Sequence, residues 1–136
     1  MQTWIFPACL TIVLWGFWGF LPKITTRYIQ PSSAIVYEVL GGALIAAIAL
    51  FFLKVQPEFH VKGTILAVIT GILGFAGAFC FLVAVSRGPV SLVATVSALY
   101  PVISIILAMM ILKEPLSTQQ AIGMGFALLS ILLITA

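Results

Sequence analysis

One acid lies deep in an apolar run of this chain: Glu38, seven residues past Pro31 in the stretch from Pro31 to Leu53. A charge near the centre of a membrane-spanning helix is penalised by about 2.5 to 3.5 kcal/mol on insertion scales, so such residues usually face a protein interior or a water-filled cavity. A lone carboxyl group there can bind and release a proton or hold a cation. The competing reading is a neutral carboxylic acid that serves the structure through a hydrogen bond, or one whose side chain reaches the membrane border. Ala34, Gly41, Gly42 and Ala46 fall at helical spacing on the side of Glu38, which leaves room for a solute or for a second helix. Tyr37 stands next to it in sequence.

Thr11, Trp15 and Trp18 share a face of the first apolar run, and Ser97, Tyr100 and Ser104 form a polar stripe beside Pro101 on the fourth. Aromatic faces hold cationic or amphipathic solutes, and a proline frees a carbonyl inside a helix, so both sets are candidates to line a pocket. The two tryptophans also suit an interfacial belt. Gly71, Gly74 and Ala78, like Ala121, Gly123 and Gly125, form small-residue patterns suited to helix packing.

Enzyme chemistry finds no support, because no span offers a nucleophile with a base, a carboxylate pair or a metal cluster. His60 sits in a border loop near Glu58. Cys9 and Cys80 lie in apolar runs with no ligand partners at metal spacing, so free thiols are expected, and no cofactor or metal is implied.

The elements that must position these residues follow from composition. Of the 136 residues, 63% are hydrophobic and 7% charged, against about a quarter charged in an ordinary soluble domain. Five apolar stretches are each long enough to cross a bilayer: 4–21, 31–53, 63–85, 90–112 and 117–136. At about 1.5 Å per residue, twenty helical residues cover the roughly 30 Å hydrocarbon core, and a helix satisfies its own backbone. The expected fold is therefore an all-α integral membrane protein with five transmembrane helices and the lipid bilayer as its solvent. Short connections carry the charges and turn residues, and Ser117 with Gln120 has the spacing of a capping box for the fifth helix. The start Met-Gln-Thr-Trp lacks the basic segment of a signal peptide, so the first run is expected to remain in the protein.

The net charge of +3 is dispersed over single border residues, which points to headgroups and argues against a nucleic-acid partner. Lys54, Lys62 and Lys113 fall on the side of the amino terminus and Lys23, Arg27 and Arg87 on the other, three against three. An even count prefers no orientation. Chance in so few charges produces a tie readily, but a chain that inserts both ways up requires one.

From Ala84 onward the chain resembles the EamA family of the drug/metabolite transporter superfamily, on Gly88, Ser91, Ala94, Tyr100-Pro101-Val102 and Glu114-Pro115-Leu116-Ser117 followed by Gln120 and Gly123. Trp15-Gly16 and Pro31 extend the resemblance over the whole chain as a single five-helix repeat. Most members carry two such repeats in inverted orientation, so the resemblance implies a half-size transporter. Two copies inserted in opposite senses recreate the inverted arrangement used for alternating access. Small multidrug resistance proteins offer an analogy, as four-helix chains thought to work as antiparallel dimers. EamA repeats often carry arginine where this chain has Glu38; an acid resembles their proton-coupling glutamate, although on a different helix.

The resemblance implies a secondary transporter in the cell membrane for a small metabolite or organic cation, working as an antiparallel homodimer, and the buried position of Glu38 adds the expectation of proton coupling. The alternatives are an accessory or assembly subunit of another membrane protein, and a chain that pairs with a different five-helix protein of fixed, opposite orientation. Because five spans are odd, the termini are expected on opposite membrane faces.

Overall fold

The computed structural model describes residues 4–135; Met1 to Thr3, and Ala136, where the fifth expected span ends, lie outside the described residues. Regular structure among the described residues is helical throughout. Two compact units divide between Arg87 and Gly88. The first holds α1 (Ile5–Thr25), α2 (Pro31–Phe51) and α3 (Val61–Arg87). The second holds α4 (Val90–Ser97), α5 (Tyr100–Leu107), a π-helical stretch (Ala108–Leu112) and α6 (Thr118–Thr135).

Four segments are long and apolar enough to cross a membrane, namely α1, α2, α3 and Val90–Leu112 as a whole, and Thr118–Ile134 is a shorter apolar helix. The 18 residues of α6 reach about 27 Å, a mismatch that a bilayer accommodates by local thinning. Large apolar side chains face outward along most of the length, including Phe6 (78% exposed) and Ile12 (72%). Water would penalise that surface heavily, whereas lipid does not.

In the first unit α3 packs against both α1 and α2. Its buried residues are Pro22, Ala34, Ala78, Phe81, Leu82 and Val85. Trp18 of α1 lies against Phe81 of α3, with ring centroids 5.3 Å apart and planes tilted by 30°. The end of α3 leaves carbonyls without helical donors. Lys23 Nζ donates to one of them, Val85 O, at 2.7 Å, a placement that also sets a cation at the negative end of the helix dipole. Lys23 was expected in a connection but lies in the last turn of α1, which runs four residues past the expected boundary at Leu21.

Leu82 is fully buried. Lipid is as apolar as leucine, so its truncation forfeits packing contacts and leaves a cavity without much loss of transfer energy. We expect Leu82→Ala to destabilise the protein by about 2 kcal/mol, the low end for buried leucines, in reversible unfolding from detergent micelles. A loss below about 0.5 kcal/mol, typical of surface substitutions, would contradict this packing.

The second unit departs from expectation in one respect. The apolar stretch 90–112 predicts one continuous helix, yet α4 stops at Ser97 and α5 begins at Tyr100. Pro101 is the cause: it has no N–H for the Ser97 carbonyl, and its ring crowds the turn before it. The backbone tightens there, with Leu99 N donating to Val96 O at 3.1 Å and Val102 N to Leu99 O at 3.0 Å. The segment then widens over Ala108–Leu112 and closes at Lys113, whose φ of 58° and ψ of 29° are left-handed. Lys54, just past α2, also has a positive φ, of 52°.

α6 packs on α4 and begins with the expected capping box. Ser117 N donates to Gln120 Oε1 at 2.9 Å and Gln120 N donates to Ser117 Oγ at 3.2 Å. Two otherwise unpartnered donors at the helix start are thereby satisfied. At the start of α3, Gly63 N donates to His60 Nδ1 at 3.2 Å, so His60 works as a cap.

Candidate functional site

A groove of about 460 Å³ opens in the first unit, lined by Trp18 of α1, by Glu38, Gly41, Gly42 and Ile45 of α2, and by Gly71, Gly74, Phe75 and Ala78 of α3. Each of the two longer contributions follows the spacing i, i+3, i+4, i+7, which defines one helix face. The apolar character of these helices puts them in lipid, and their small residues leave a hollow where the two faces meet. Glu38, half-buried, is the one ionisable side chain in the lining. No basic residue lines the groove.

The glycines divide into two kinds. A Cβ on Gly42 would come within 2.9 Å of Phe75 Cζ, so the absence of a side chain there lets the Phe75 ring seat against α2. A Cβ on Gly41, Gly71 or Gly74 would meet nothing within 4 Å. Those three keep the hollow open beside the carboxyl group. Gly71 and Gly74, read from sequence as packing residues, therefore border the groove in this structure.

The other candidates are placed as follows. Trp15, 55% exposed, does not line the groove, although it shares a face of α1 with Trp18. The Thr11 hydroxyl donates to Pro7 O of its own helix at 2.9 Å. Tyr37 is 64% exposed and does not line the groove. Ser97, Tyr100, Pro101 and Ser104 cluster at the break between α4 and α5, in the second unit, where Ser104 Oγ donates weakly to Tyr100 O at 3.4 Å. Gly123 and Gly125 lie on α6, and a Cβ on either meets nothing within 4 Å.

Sequence reasoning did not single out Ile45 and Phe75. The signal was present on α3, where Phe75 completes the same spacing that Gly71, Gly74 and Ala78 begin. A second hollow of about 330 Å³, lined by Met109, Glu114, Gln120 and Met124 among others, lies within the second unit. Its amide oxygen on Gln120 is already engaged by Ser117 N. Among the described residues no three of His, Cys, Asp and Glu come together as metal ligands, and Cys9 and Cys80 are free.

An apolar hollow with one carboxyl group can hold a proton or a cation and exchange one for the other. The EamA-like transporter family matches residues 2–136 of the chain. Over 117 residues the chain is 30% identical to an uncharacterized transporter of Bacillus subtilis, YyaM, a match that covers 84% of this chain and 38% of that protein. Over 135 residues it is 28% identical to an uncharacterized protein of Methanocaldococcus jannaschii, MJ1333.1, covering 99% of this chain and 98% of the other. The chain thus spans well under half of the bacterial relative and nearly all of the archaeal one. No solved structure matches the chain.

Proposed function

This chain belongs to the EamA-like transporter family, and on that premise we propose that it carries a small metabolite or organic cation across the cell membrane, with Glu38 exchanging a proton in the groove between α2 and α3. The observation that carries the reading is the placement of Glu38: a carboxyl group on the wall of an open hollow, among glycines that keep it reachable. A purely structural acid has no need of an open approach. Solute and proton compete for one carboxylate, which supplies the mutual exclusion that exchange requires.

We further propose that the two units act together as one five-helix repeat and that two copies associate in opposite orientations. The bacterial relative is long enough for a second segment of this size, while the archaeal relative matches this one from end to end. Two inverted repeats place a shared pathway between them. The balance of three basic residues on each side permits both insertions.

The test is the purified chain reconstituted alone in liposomes. A transporter releases a trapped solute down its gradient and runs in detergent at the mass of two copies. A correctly folded chain that forms no pair and moves no solute would instead be an accessory subunit of another membrane protein.

A further inference from the structure

We propose that the border of the first unit where α1 and α3 end binds the headgroup of an anionic phospholipid, held by the guanidinium groups of Arg27 and Arg87. The bond from Lys23 Nζ to Val85 O, 2.7 Å long, brings the last turn of α1 against the last turn of α3. The backbone stays turned past α1, with Thr26 N donating to Pro22 O at 2.9 Å and Arg27 N to Ile24 O at 3.0 Å. Arg27 therefore stands about one turn beyond Lys23, and Arg87 closes α3 just past Val85. Both arginines are exposed, and neither guanidinium has a hydrogen-bond or ion-pair partner among the described residues.

The charge of this border is one-sided. The chain holds three acids, and Glu58 and Glu114 stand with Lys54, Lys62 and Lys113 in the connections at the other border. The third, Glu38, lies about 10 Å along α2 from Pro31. No acid in the connections after α1 or after α3 offsets Lys23, Arg27 and Arg87, so equal numbers of basic residues leave the two borders unequal in net charge. α1 and α3 are long and apolar enough to cross a membrane, which puts their ends at headgroup depth. Tyr28, 82% exposed beside Arg27, suits the same depth. The hydroxyls of Thr25, Thr26 and Ser86 donate to carbonyls of their own helices, so recognition falls to the arginines. Their planar forks match a pair of phosphate oxygens. A zwitterionic headgroup brings its own cation to the site and gains less from the excess positive charge.

Two phospholipids with identical acyl chains test the proposal. Phosphatidylglycerol carries a net negative charge, and phosphatidylcholine carries none. Each is added to the purified full chain in detergent, and bound lipid is counted by native mass spectrometry. Phosphatidylglycerol is expected to bind at least about tenfold tighter than phosphatidylcholine, and each of Arg27→Gln and Arg87→Gln to weaken it about fivefold. The double change should erase the preference. Because both side chains are exposed and unpartnered, thermal unfolding without added lipid should stay close to the parent. Phosphatidylglycerol should raise the unfolding temperature of the parent more than phosphatidylcholine does, since a ligand of the native state stabilises it.

Lys54→Gln with Lys62→Gln, which removes the same charge from the other border of the first unit, should leave the preference intact. Equal binding of the two lipids, a preference that survives loss of both arginines, or an equal loss in the lysine control overturns the proposal. Should the double arginine change prevent folding, the two single changes decide, and phosphatidylglycerol binding unchanged in both overturns it as well. Inorganic phosphate separates a lipid from a soluble anion. Complete displacement of phosphatidylglycerol by phosphate would make the site one for a free anion and remove the lipid. No arm of the experiment depends on solute flux, so the proposal stands or falls apart from the transport reading.

Discussion

Glu38→Gln is expected to abolish proton-driven accumulation of solute while leaving the fold intact. Glutamine preserves the shape and hydrogen-bonding capacity of the side chain and removes its proton exchange. Under the proposed exchange, one proton for one monovalent cation would support accumulation of up to about tenfold for each pH unit imposed across the membrane, since a pH unit is worth about 1.36 kcal/mol. Without a titratable group the occupancy of the groove no longer depends on pH on either side, and the internal concentration should not exceed the external one. Because Glu38 lies half-buried beside glycines, and not in the packed layer of Phe81, Leu82 and Val85, the change should leave unfolding in detergent close to the parent. Accumulation by the glutamine variant equal to that of the parent would make Glu38 a structural residue.

Locking the chain in one orientation is expected to remove activity, and mixing opposite locks to restore it. Gln56 and Phe59 are exposed in the connection between α2 and α3. Gln56→Lys with Phe59→Lys raises the basic count on the amino-terminal side from three to five, against three on the other, which biases that side toward the cytoplasm. Tyr28→Lys with Gln30→Lys, in the connection before α2, biases the opposite way. Each variant expressed alone should show little transport, and the two expressed together should approach the parent. Full activity from one variant, shown by accessibility labelling to be locked, would point to a parallel assembly.

The long helices were legible because their cause is compositional: uninterrupted apolar stretches in a chain with 7% charged residues have one stable solvent and one regular backbone. The capping box at Ser117 and Gln120 was legible because reciprocal side chain to backbone bonds require that spacing and little else. The break before Tyr100 was only half legible. Pro101 announced a freed carbonyl, but whether the helix kinks, tightens or separates depends on how its backbone rebonds. The stops at Lys54 and Lys113 were hidden, since left-handed positions are signalled by glycine and a lysine there pays about 1 to 2 kcal/mol of steric strain.

The site divides along the same line. Glu38, Gly41 and Gly42 share a face by the geometry of a single helix, so periodicity alone brought them together. Trp15 and Trp18 share a face too, and periodicity could not say which of them borders the groove. Phe75 is one of ten phenylalanines. Its role follows from the packing of α3 against α2 and from the space Gly42 leaves for its ring, neither of which a single helix encodes.

Proton coupling at Glu38 is tested most directly by following both fluxes in one vesicle. Liposomes carrying the purified chain are loaded with a cationic solute and a pH-sensitive dye, with equal pH on both sides and the membrane potential clamped, and then diluted into solute-free buffer. Exchange through one carboxylate predicts that solute leaves as protons enter, one for one, so that the interior acidifies in the parent and stays constant in Glu38→Gln. Solute efflux from the parent at full rate with no change of internal pH would contradict it.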